Sequence, residues 1–116
     1  MGIKGKVIGI DINLRKNNEN KLKKHPIYKN RIILLKGSST DLKLIKRIKS
    51  ITKNFKTMVI LDSNHTEEHV LDELNFYSEI VSRKNYLIVQ DTGIVHMPEK
   101  MNKNRMWSKK KILIRQ

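Results

Sequence analysis

The chain has no cysteine, two prolines and five glycines, and its aromatics stop at three Tyr, two Phe and one Trp among 116 residues. The missing cysteine excludes a disulfide framework and any thiolate zinc site. No apolar stretch approaches the roughly 20 residues that span a bilayer. The opening Met1-Gly-Ile-Lys-Gly-Lys6 is not a signal peptide, because a strand-like run follows the charge at once. A cytoplasmic location is therefore the expectation. Acidic residues are also scarce, 11 against 25 basic, which leaves a net charge of +14. A basic surface attracts nucleic acid or anionic membrane. The plainer reading is an AT-rich coding sequence that inflates Lys, Asn and Ile together, so charge alone assigns no function.

What is present is a set of short apolar runs at a length that suits one domain. Lys6-Val-Ile-Gly-Ile10, Arg31-Ile-Ile-Leu-Leu35, Met58-Val-Ile-Leu61 and Tyr86-Leu-Ile-Val89 read as buried strands. Between them lie helical periods. A short helix is expected near 17–24, before Pro26. Leu42, Ile45, Ile48 and Ile51 recur at helical spacing behind Thr40 or Asp41 as N-cap. Val70, Leu71, Leu74, Tyr77 and Val81 predict one apolar stripe, with Asn64 and Glu67 loosely forming a capping box. Alternating strands and helices argue for an α/β domain with a parallel sheet. The expected organisation is a core over 1–95 and a basic irregular tail over 96–116, in which Ile112-Leu-Ile114 is a weak strand candidate.

The third and fourth runs exit into polar residues: Asp62-Ser-Asn-His-Thr66 after one, Gln90-Asp91-Thr92 after the other. Parallel α/β sheets bind ligands just outside the carboxyl ends of their strands. If these strands are neighbours, Asp62, His65, Gln90 and Asp91 gather around one pocket.

The succession VIGIDI, RIILLKGSSTD, VILDSNHTEEHVLDELNFYSEIV and YLIVQDT, with NRMW near the end, resembles the cephalosporin hydroxylase and rhamnosyl O-methyltransferase family over roughly residues 5–107. The resemblance implies a Rossmann-like, three-layer methyltransferase that uses S-adenosylmethionine, often with Mg²⁺. It also implies that the fold is incomplete here, since no first strand and Gly-rich loop precede residue 6. By the same resemblance, Asp11 would hold the cofactor ribose and the Gly37-Ser38-Ser39 turn would cradle its adenosine. Asp62, Gln90 and Asp91 would hold Mg²⁺, and His65 would be the general base. The residue types suit those roles: a carboxylate accepts ribose hydroxyls, hard cations prefer oxygen, and imidazole takes protons near neutral pH. Gln90 departs from the family's usual Glu, which removes one negative charge and weakens the expected affinity for metal.

Other readings stand beside this one. Asp11 is otherwise a solvated strand end, and His65 a helix-start residue bonded to nearby backbone. His65-Thr-Glu-Glu-His69 matches an H-x-x-E-H zinc-protease pattern. Its first His falls at a strand-to-helix junction, where that site would need an established helix. The basic tail with Trp107 could grip single-stranded nucleic acid, although few aromatics are available and nucleic acid is not the expected partner. The absent first strand and the Lys-rich ending suggest a truncated methyltransferase without activity. The expected partners are a small hydroxylated acceptor and, to complete the sheet, a second copy or a complementary fragment.

Overall fold

A computed structural model describes residues 4–91. The elements run β1 (Val7–Asp11), α1 (Lys16–Lys24), α2 (Tyr28–Arg31), β2 (Ile32–Lys36), α3 (Leu42–Thr52), β3 (Val59–Leu61), α4 (Glu67–Ser78) and β4 (Leu87–Val89). The tail expected over 96–116, with Trp107 and the Ile112–Ile114 strand, lies outside the described residues, as does Thr92. The chain divides into two compact units, Met1–Leu44 and Ile45–Gln116.

In the first unit β1 and β2 pair in parallel, with Gly9 opposite Leu34 and Asp11 opposite Lys36. A Cβ on Gly9 would stand 3.1 Å from Leu34 Cδ2, so glycine is what lets the two strands close there. The Gly37 amide donates to the Asp11 carbonyl at 3.0 Å and extends the ladder past β2. Gly37 holds φ +154, a backbone that side chains rarely adopt. Helix α1 forms where a short helix was expected and buries no residue. The single turn α2 was not foreseen, because four residues behind Pro26 are too few to show a period.

Helix α3 starts after Asp41, whose Oδ1 accepts the Lys43 amide at 2.9 Å. That is the N-cap bond expected of Asp41. Along this helix Leu44, Ile45 and Ile48 are buried, but Leu42 is 61% exposed, so the apolar stripe begins two residues later than the spacing suggested.

In the second unit β3 and β4 pair in parallel, with Leu61 opposite Val89, and α4 packs against β3. Leu61, Tyr77 and Ile80 are buried, whereas the cross-strand pair Ile60 and Ile88 is exposed. The parallel α/β pattern is therefore present. Among the described residues it takes the form of two two-stranded sheets.

Two details of α4 differ from expectation. The helix begins at Glu67 with Thr66 as N-cap and no side-chain cap bond. Asn64 instead accepts the Thr66 amide at 3.1 Å, a local Asx turn rather than a capping box. Leu71 is 56% exposed, and Glu73 is the residue buried in its place.

Candidate active site

The second unit brings Asp62, His65 and Asp91 together. Pairing Leu61 with Val89 sets the exits of β3 and β4 at the same end of their sheet. Asp62 follows the first exit directly. Asp91 follows the second after Gln90, whose amide donates to the Leu61 carbonyl at 2.9 Å and carries the ladder one step further. His65 arrives from the turn into α4. Its Nε2 lies 4.0 Å from Asp62 Oδ1 and 3.7 Å from Asp91 Oδ2. One ligand atom from each of the three falls within 4.8 Å of the others, and this is the one such group among the described residues.

Burial in the cluster is uneven: the His65 side chain is 10% exposed, the two carboxylates 52% and 54%. A shielded imidazole thus sits between two solvent-facing acids. Asp91 holds φ 58, the left-handed region that costs most residues roughly 1–2 kcal/mol but that Asp tolerates. Strain of that kind gathers at functional sites. The set can act chemically in two ways. Imidazole and carboxylate can each pass a proton in acid–base chemistry, and together they are a competent donor set for a divalent cation. Gln90 is exposed at the exit of β4, beside the cluster in sequence.

Beneath this turn lies a polar group of a different kind. Glu73 is 1% exposed. Its Oε1 accepts the Ser63 hydroxyl at 2.6 Å and lies 3.4 Å from His69 Nε2. His69 Nε2 is in turn 3.2 Å from Ser63 Oγ. Burial, with the negative charge of Glu73 beside it, pushes the Tyr77 phenol up to about 12. His69 is thus a member of this network. The zinc-protease pattern separates accordingly, with His65 among Asp62 and Asp91 and His69 on Ser63 and Glu73.

The first unit carries the other candidate residues. Asp11 closes β1 and lines an open recess of about 490 Å³ with Gly9, Asn13, Arg15, Asn18 and Leu34. That volume suits a small-molecule site. Asp11 Oδ1 accepts the Asn13 amide at 2.8 Å; a carboxylate offers about four acceptor positions, so capacity remains for hydroxyl donors. Gly37, Ser38 and Ser39 do not line this recess. Ser38 Oγ instead pairs with Thr40 Oγ1 at 3.0 Å and accepts the Thr40 amide at 3.3 Å, shaping the turn into α3.

Sequence reasoning passed over Ser63 and Glu73, and weighed His69 only as a zinc ligand. A signal was available, because Glu73, Tyr77 and Ile80 fall on one helical line (i, i+4, i+7). A carboxylate inside an apolar line is a buried-charge warning. Arg15 and Asn18 at the recess carried no comparable sign.

The family model described as rhamnosyl O-methyltransferase/CmcI matches residues 1–112. The rhamnosyl O-methyltransferases of Mycobacterium bovis (strain BCG / Pasteur 1173P2) and Mycobacterium tuberculosis (strain ATCC 25618 / H37Rv) are each 32% identical over 65 residues. The aligned part is 54% of this chain and 26% of either relative, so the chain matches about a quarter of their length. No solved structure matches the chain.

Proposed function

This chain belongs to the rhamnosyl O-methyltransferase/CmcI family, and from that premise we propose that it carries the core of an S-adenosylmethionine-dependent O-methyltransferase. The acceptor in this reading is a hydroxyl on a sugar, as the name of the mycobacterial relatives indicates for those proteins. The observation that supports this reading most is the convergence of Asp62, His65 and Asp91 within 4.8 Å.

In this reading Asp11 binds the ribose hydroxyls of the donor, and the recess it lines takes the nucleoside. Gly37, Ser38 and Ser39 act through the backbone of the turn after β2. When bound, the sulfonium donor supplies an electrophilic methyl group. Asp62 and Asp91 offer the carboxylate oxygens that Mg²⁺ prefers, with the amide oxygen of Gln90 as a neutral third donor. That ion, when bound, polarises the acceptor oxygen.

His65 does the proton chemistry. As the acceptor oxygen forms its bond to the methyl carbon, the S–C bond breaks and the hydroxyl proton passes to the imidazole. The shielding of His65 keeps bulk water from competing for that proton.

The test is calorimetric titration of the purified chain with S-adenosylmethionine, with and without Mg²⁺, followed by methyl transfer to rhamnosylated acceptors. Saturable binding that releases S-adenosylhomocysteine when an acceptor is added bears the proposal out. A folded chain that binds neither donor nor Mg²⁺ overturns it.

A further inference from the structure

We propose that Glu73 is a positioning residue: through Ser63 it fixes the turn that carries Asp62 and His65. The proposal rests on the reading of Asp62, His65 and Asp91 as the reactive cluster. Ser63 stands between Asp62 and His65, and its hydroxyl donates to Glu73 Oε1 at 2.6 Å across ten residues of chain. A second side-chain bond in the turn, from the Thr66 amide to Asn64 Oδ1, ties the turn only to itself. The Ser63–Glu73 bond ties it to the helix. Glu73 is a firm anchor because it is 1% exposed and lies on the helical line of the buried Tyr77 and Ile80.

The choice of residue is informative. A buried carboxylate loses its hydration, and an apolar side chain of similar size would fill the same space without that loss. What Glu73 offers that an apolar residue cannot is an acceptor strong enough to hold a hydroxyl and a His at once. His69 Nε2 approaches both Glu73 Oε1 at 3.4 Å and Ser63 Oγ at 3.2 Å, closing a three-membered group under the turn. Partners behind a metal or proton-transfer site orient its ligands in this way.

The experiment compares the full chain with Ser63→Ala, Glu73→Ala, Glu73→Gln and the Ser63→Ala/Glu73→Ala double variant. Two quantities are read: affinity for Mn²⁺ alone by calorimetry, and amide hydrogen exchange across residues 62–66. Ser63 is exposed, so Ser63→Ala folds even if Glu73→Ala does not. Each alanine variant is expected to weaken Mn²⁺ binding by roughly 10–100-fold and to speed exchange in the turn. The double variant is no worse than either single one, and Glu73→Gln, which keeps an acceptor oxygen, recovers most of the loss. Wild-type Mn²⁺ affinity and unchanged exchange in folded Ser63→Ala overturn the proposal. If the wild-type chain takes up no Mn²⁺, the metal reading falls, and exchange in the turn alone decides whether Glu73 positions it.

Discussion

The two units present their candidate residues in opposite ways. In the first, Asp11 stands at the rim of an open recess whose helical wall, α1, buries no residue. In the second, the Asp62–His65–Asp91 cluster follows the buried Leu61 and includes the buried His65, and its turn is bonded through Ser63 to the buried Glu73. A recess walled by an exposed helix leaves part of the ordering to its ligand, and that ordering subtracts from affinity. A cluster tied to buried side chains is set before any ligand arrives, as proton transfer at a defined atom requires. The contrast matches the division of labour proposed for the chain, with nucleoside binding in one unit and chemistry in the other.

The sharpest way to break that division is to remove the base. His65→Ala is expected to lower kcat for methyl transfer by roughly 10²–10⁴-fold and to leave donor affinity, measured by calorimetry, where it was. Unchanged turnover would take His65 out of the mechanism. A parallel fall in donor affinity would show that the two functions are not divided between the units.

The next effect concerns how the second unit's buried core responds to alkali. The Tyr77 phenol is raised from an ordinary 10 to about 12, so over that interval the folded chain keeps a proton that the unfolded chain has released. The contribution is whole below pH 10 and is lost as pH rises through 12, to a total of about 2–3 kcal/mol. Denaturant titrations of wild type and Tyr77→Phe at pH 9, 10, 11 and 12 isolate it from the lysines, which titrate equally in both. The stability difference between the two should change steadily across that range. A constant difference would mean that Tyr77 is not held in its neutral form.

How much of this was legible depended on whether the signal was local. Each strand run was visible because an apolar run of four residues needs no knowledge of its partner. Asp62, His65 and Asp91 were visible because they leave strand ends, and ligands collect there in α/β sheets. Glu73 was not, since among Glu67, Glu68 and Asp72 it looks like one more acid favouring the helix dipole. Only its helical line with Tyr77 and Ile80 separates it from its neighbours. The Ser38 turn was legible in composition only: the engagement of its hydroxyl with Thr40 is a contact that composition does not encode.

Within the first unit, Asp11→Asn tests whether the recess depends on one charge. Hydrogen bonds to charged groups contribute about 1.5–3 kcal/mol, so S-adenosylmethionine should bind about 10–100-fold more weakly. Mn²⁺ affinity should be unaffected, because Asp11 is not a member of the metal-competent group. Equal losses of both affinities would show the substitution acting through the fold.

The smallest expected effect concerns Gln90. It offers a neutral amide oxygen, and cation affinity follows the charge of the ligand set. Its amide already extends the ladder to Leu61 and its side chain is exposed, so a change of charge there should not disturb the pairing. Gln90→Glu is therefore expected to tighten Mg²⁺ binding by roughly 3–10-fold without altering thermal stability or affinity for the donor. Tighter binding would place the side chain among the metal's ligands and would identify the native glutamine as what keeps the second unit's cluster weakly charged. No change would take Gln90 out of the ligand set and leave Asp62 and Asp91 as the side chains that hold the ion, with His65 left to proton transfer.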